Sequence, residues 1–82
     1  MSKKTFDSVV SGTVDSNIRF SSFVNLMLRL GFVFLRQNGS HVIYYNAGIR
    51  EFMNVQKDGS KAKAYQVEQL RKLIYKYRLK ER

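Results

Sequence analysis

His41 is the one histidine of the chain, and it closes the triplet Gly39-Ser40-His41, with Arg36 just upstream. An imidazole takes and gives protons near neutral pH, so proton transfer is the chemistry to expect at this position. Asn38-Gly39 is a strong hairpin signal, because a type I′ turn needs positive φ at both central residues. With Asn38-Gly39 as the turn, Gln37 pairs with Ser40 and Arg36 pairs with His41, their Cβ atoms roughly 4.5–5.5 Å apart. Phe34 and Ile43 come next along that face. A guanidinium facing an imidazole favours the neutral ring, which accepts protons. Gly39-Ser40 can also meet a phosphate through backbone N–H groups and the hydroxyl. So can Gly59-Ser60-Lys61-Ala62-Lys63, with its two lysines at the entrance to a helix. The plainer readings are a polar strand residue, an ordinary turn and a solvated loop.

The charge around these residues narrows the partner. The chain has 82 residues, 15 Lys and Arg against 6 Asp and Glu, and a net charge of +9. Residues 57–82 carry nine basic and three acidic side chains, and residues 1–56 carry six and three. A basic surplus concentrated in the C-terminal third is the electrostatic footprint of a polyphosphate binder. If the partner is RNA, the substrate brings its own nucleophile, the 2′-hydroxyl. Cleavage then needs a base, an acid for the leaving 5′-oxygen and positive charge for the phosphorane oxygens. His41 can be base or acid, and Arg36, Lys61 or Lys63 can supply the charge. Ser40, Tyr44 and Tyr65 are the candidates for the second proton carrier. One histidine and six dispersed carboxylates do not form a metal site, and no phosphate-loop or dinucleotide fingerprint is present, so no cofactor is expected.

The elements that must position these residues follow from apolar spacing. Phe6, Val9 and Val10 define a short helix over 4–11, stopped by Gly12. Phe20, Phe23, Val24, Met27 and Leu30 define a second helix, capped by Ser21 or Ser22 and ended by Gly31. Three strands follow, over 32–37, 40–45 and 51–56, with Asn46-Ala47-Gly48 as the second turn and Asp58-Gly59-Ser60 ending the meander. A last helix over 65–79 carries Val67, Leu70, Ile74 and Tyr77 on one stripe and crowds basic residues elsewhere. Its apolar stripe is needed to cover the sheet, which argues against a membrane-lying role. The expected fold class is α+β, in the order α-α-β-β-β-α, with a three-stranded antiparallel sheet covered by helices on one face. A single domain over 1–82 is expected, with 1–18 a looser N-terminal extension. The longest apolar run, Phe32 to Leu35, is far too short for a membrane span. Met1-Ser2-Lys3-Lys4 is not followed by an apolar stretch of signal-peptide length, and the absence of cysteine suits a reducing compartment, so a cytoplasmic location is expected.

Asp15-Ser16-Asn17-Ile18-Arg19-Phe20-Ser21, Leu30-Gly31-Phe32, Gly39-Ser40-His41 and the run from Gly59 to Val67 with Gln69 and Arg71 together resemble the HicA toxins of bacterial toxin–antitoxin pairs. The resemblance covers about residues 13–79. It implies a double-stranded-RNA-binding-domain-like fold, an mRNA interferase activity and neutralisation by an acidic antitoxin of the HicB type. It implies that His41 is the catalytic histidine. Arg36, Gly39, Ser40, Lys61, Lys63, Tyr65 and Arg71 are the residues expected to contact RNA. Many relatives have proline where this chain has Ala64. Alanine is an excellent helix former, so the helix is expected to start regardless. A non-catalytic module binding double-stranded RNA or DNA is the alternative, and His41 is the residue that separates the two.

Overall fold

The computed structural model describes residues 2–82, which include all of the 1–18 extension except Met1. The elements are α1 Ser2–Ser11, a 3-10 turn Asp15–Asn17, α2 Phe20–Arg29, β1 Val33–Asn38, β2 His41–Asn46, β3 Glu51–Val55, β4 Lys57–Asp58, β5 Lys61–Ala62 and α3 Ala64–Tyr77. β1, β2 and β3 form one antiparallel meander in that order, and the fold is α+β and double-stranded-RNA-binding-domain-like. The helices cover one face only. Phe23, Leu26 and Met27 of α2, and Val67, Leu70 and Ile74 of α3, pack with Tyr44, Met53 and Val55 of the sheet, while Val9 carries α1 into the same core. Strand side chains alternate between faces. His41, Ile43 and Tyr45 therefore share the outer, uncovered face with Phe52 and Asn54.

The hairpin differs from the expected one in an instructive way. The closing pair is Asn38 with His41, so the turn is Gly39-Ser40, one residue further on. Gly39 has φ of 65°, while Asn38 and Ser40 do not adopt positive φ. That is the φ pattern of a type II′ turn, which wants glycine first, rather than the type I′ turn that Asn-Gly suggests. Arg36 consequently opposes Ile43 and not His41. Moving the turn by one residue shifts the partner by two, so Arg36 and His41 still share a face. Phe34 does not share it. A bulge between Phe34 and Arg36 sets Phe34 against Tyr44, with ring centroids 6.1 Å apart in an edge-on arrangement. The extra residue of a bulge reverses the alternation beyond it.

Three further details depart from the spacing. The meander ends earlier, at Val55, and Asp58-Gly59-Ser60 belongs to a separate two-stranded sheet. Gly59-Ser60 is a second two-residue turn, and it closes the small β4–β5 hairpin. The segment over 13–17, between two helices read from apolar spacing, holds the 3-10 turn. α2 starts at Phe20 with Arg19 as its N-cap residue, and neither Ser21 nor Ser22 caps it. Phe20 instead donates its N–H to Ser60 O, and Ala62 N–H donates to Ile18 O. Residues 18–20 are thus laced to 60–62. Ala64 opens α3, so the helix begins there without proline.

The N-terminal elements are fastened by Arg71. Its guanidinium makes two hydrogen bonds to the Asp15 carboxylate, at 2.8 and 2.9 Å, and one to Val9 O at 3.0 Å. The hydrogen bond to Asp15 raises the Arg71 pKa above its ordinary value, against the opposing pull of burial. Gly12, at φ of 72°, stops α1 and leaves room for this group, since a Cβ there would stand 3.1 Å from the guanidinium. A bidentate, half-buried ion pair with an added carbonyl acceptor is among the stronger polar contacts. Arg71→Met should therefore cost about 1–3 kcal/mol in urea denaturation, lowering Tm by several degrees. A loss below about 0.5 kcal/mol would show that α1 holds without the clamp.

Candidate active site

The site starts from a buried amide on α3. Gln66 is 1% exposed, and the core leaves it no water to bond. Its Nε2 donates to Asn54 O at 3.0 Å, and its Oε1 accepts from Gln56 N–H at 3.1 Å. Both ends of a buried amide must be satisfied, so the end of β3 is pinned to the first turn of α3. Asn54 and Gln56 then turn their side chains outward. Asn54 Oδ1 lies 3.1 Å from His41 Nδ1. Gln56 Nε2 donates to Ser40 Oγ at 2.9 Å, and Gln56 Oε1 accepts from Lys63 Nζ at 3.0 Å. His41, Ser40 and Lys63 are thereby gathered at the hairpin tip by residues on β3 and α3.

This arrangement sets the chemistry of the ring. An amide oxygen can only accept, so the contact to Asn54 puts the proton on Nδ1. Nε2 carries the free lone pair, on an exposed side chain at an uncovered face. Lys63 brings a cation to the same tip. Arg36 lies on the same face, beyond the Asn38–His41 pair, and is exposed. Gly39 is open on all sides, with nothing within 4 Å of where a Cβ would stand.

Other residues singled out by type fall elsewhere. Lys61 turns away from Lys63 and donates to Asn17 Oδ1 beside the 3-10 turn. Tyr65 is 62% exposed at the start of α3. Arg71 is not brought to the cluster, because its guanidinium is engaged with Asp15 and Val9 O. Tyr44 lies on the inner face, 8% exposed, and burial raises its hydroxyl pKa. Asn54 and Gln56 carried no signal of their own. Their roles come from the last residues of β3 meeting α3. Among the described residues no three His, Cys, Asp or Glu side chains converge as metal ligands. No described helix is long and apolar enough to cross a membrane.

Further along the outer face, beyond the Arg36–Ile43–Asn54 row, the surface is apolar. Val33 and Phe52 are 56% and 55% exposed, and Tyr45 packs on Phe52 with ring centroids 4.5 Å apart. Apolar surface left open beside a polar site marks a place where something binds.

The fold and site together define a small, basic α+β domain of double-stranded-RNA-binding-domain-like fold with one oriented histidine at a hairpin tip. Residues 20–75 match the model of the HicA toxin of bacterial toxin–antitoxin pairs. The chain belongs to that family, and it is the toxin partner of such a pair. Neither the curated proteins nor the solved structures yield a match.

Asn54 should fix the tautomer of His41. Long-range proton–nitrogen NMR of the neutral ring should find the proton on Nδ1 in the native protein. In Asn54→Ala the Nε2–H form should gain, as in a free imidazole. An unchanged tautomer would remove Asn54 as the orienting group.

Proposed function

We propose that this toxin is an endoribonuclease, an mRNA interferase that needs no metal and uses His41 as its acid/base. The observation that carries the proposal is the oriented ring, with Nδ1 held by Asn54 and Nε2 free on an open face. Nε2 takes the proton of an RNA 2′-hydroxyl. That oxygen attacks the adjacent phosphorus, the bond to the 5′-oxygen breaks, and a 2′,3′-cyclic phosphate forms. Lys63 and Arg36 offset the charge that grows on the phosphorane oxygens. The leaving 5′-oxygen needs a proton, and Ser40 is the side chain at the tip available for it. Gly39, Ser40 and Lys61 extend the RNA contact along the tip and the β4–β5 hairpin. The work is done in the cytoplasm, where mRNA is found.

The partner is an acidic antitoxin of the HicB type. Its seat is the outer face of the sheet, where Val33, Tyr45 and Phe52 offer apolar area on the same face as His41. The net charge of +9 favours an acidic partner and speeds its approach. Occupation of that face removes Nε2 from RNA.

Purified protein should cut a long RNA in excess EDTA and leave 2′,3′-cyclic phosphate ends. His41→Ala should lower the rate roughly 10²- to 10⁴-fold while keeping the fold and most RNA affinity. Cleavage by His41→Ala at the native rate would sink the assignment, and loss of native cleavage in EDTA would reveal a metal-dependent reaction. RNA binding with no cleavage under any condition would favour the non-catalytic module.

The saturated toxin–antitoxin complex should be inactive on RNA that the free toxin cuts. Phe52→Lys should weaken the complex by tenfold or more, as loss of a buried aromatic anchor does. Full activity of the saturated complex would exclude occlusion of His41.

A further inference from the structure

A second feature lies on the other side of the hairpin tip. A groove of about 460 Å³ opens between the start of α2, the inner face of β2 and the β4–β5 hairpin, lined by Arg19, Phe20, Ser21, Tyr44, Lys57 and Ser60 among others. A smaller hollow of about 230 Å³ shares Phe20 and Lys57 with it and reaches Gln37 and Ser40. Ser40 is the neighbour of His41, so the two hollows lead from the candidate active site into the groove.

Three observations give this groove an anionic ligand. The first is the uncapped start of α2. Phe20 N–H is taken by Ser60 O and Phe23 N–H by Arg19 O, but among the described residues the amides of Ser21 and Ser22 have no partner, and no side chain caps the helix. A ten-residue helix then offers free N–H groups and the positive end of its dipole at one wall of the groove. The second is Tyr44. It is 8% exposed and its hydroxyl makes no hydrogen bond among the described residues. It is not sealed off either, because Tyr44 lines the groove and its remaining exposure opens there. The ring is buried, but the hydroxyl oxygen is open at the groove and free to bond a ligand there. The third is charge. Lys57 and Arg19 are exposed at the rim, and neither is paired with a described carboxylate. The Lys57 ammonium is held over the Phe20 ring, 5.8 Å from its centroid, which keeps it at the groove mouth.

We propose that this groove is a phosphate-binding subsite, formed by the Ser21 amide, the Tyr44 hydroxyl, Lys57 and Arg19, which holds a phosphodiester of the RNA strand beside the bond presented to His41. The proposal rests on the RNA-cleaving function proposed above. Its chemistry is distinct from that of His41, since it takes a standing negative charge rather than a moving proton. It fixes where the strand lies on the tip, so that the strand passes over Ser40 with one phosphate anchored in the groove.

The test uses a fully 2′-O-methylated RNA of mixed sequence, which binds but offers no 2′-hydroxyl for attack. Affinity should fall roughly three- to tenfold in Lys57→Met, which keeps the stem over Phe20, and in Tyr44→Phe, which removes only the unpartnered hydroxyl. The log–log salt slope of Lys57→Met should flatten by about 0.7. In NMR of the native protein the Ser21 amide should shift on adding the RNA. Unchanged affinity and slope in Lys57→Met, with the Ser21 amide unmoved by an RNA that binds, would overturn the subsite and leave the cleaving function standing. Amide shifts with inorganic phosphate but not with the RNA would overturn it in favour of a small phosphate ligand. Failure of the native protein to bind any RNA would overturn the subsite together with the function it rests on.

Discussion

Gln66 works in two directions at once. Its amide is enclosed by the core, yet its partners are the backbone groups of Asn54 and Gln56, whose side chains reach the opposite surface of the sheet. The backbone points in and is held, while the side chains point out and hold His41, Ser40 and Lys63. A slip of α3 by one residue would strand a buried carbonyl and a buried N–H, each at a cost of about 1–3 kcal/mol. That cost fixes the helix against β3, and the helix in turn fixes the ring. A site on an exposed hairpin tip, where loops are usually mobile, thereby inherits the rigidity of the core.

The same economy divides the basic residues. Counted by charge, Lys61, Lys63 and Arg71 look alike. Lys63 joins the network at the hairpin tip, Lys61 leans on Asn17, and Arg71 spans from α3 to Asp15 and Val9 O. A surplus of charge therefore speaks about the surface as a whole, while the structural load falls on Arg71, which among the described residues is the arginine with a carboxylate partner across the fold.

What could be read in the residues depended on whether it was local. The three helices, the order of the strands and Gly12 as a stop all follow from spacing and from glycine chemistry within a few residues. The shared face of Arg36 and His41 also survived, because a turn displaced by one residue changes partners by two and leaves alternation intact. The bulge ahead of Arg36 did not announce itself, since Phe34-Leu35-Arg36 reads as ordinary strand. Nor did Asn54 and Gln56, whose importance arises only when a residue ten or more positions away packs beneath them. Gln66 lies among apolar neighbours on α3 and breaks no pattern strongly enough to mark a buried amide. The second Gly-Ser turn, at Gly59-Ser60, was visible as a turn but not as a hairpin, because strands of two residues carry no periodicity.

The bulge has a bearing on how the protein keeps company with itself. β1 is an edge of the meander, and an edge strand with free N–H and C=O groups invites a second chain to continue the sheet. Exposed Val33, Phe34 and Leu35 would make such an invitation adhesive. The irregularity between Phe34 and Arg36 bends the strand and breaks the even row of backbone groups where these apolar residues end. Uncontrolled strand-by-strand growth from this edge is thus disfavoured by the backbone itself, and the apolar side chains stay available to a partner that recognises a surface instead of extending a ladder.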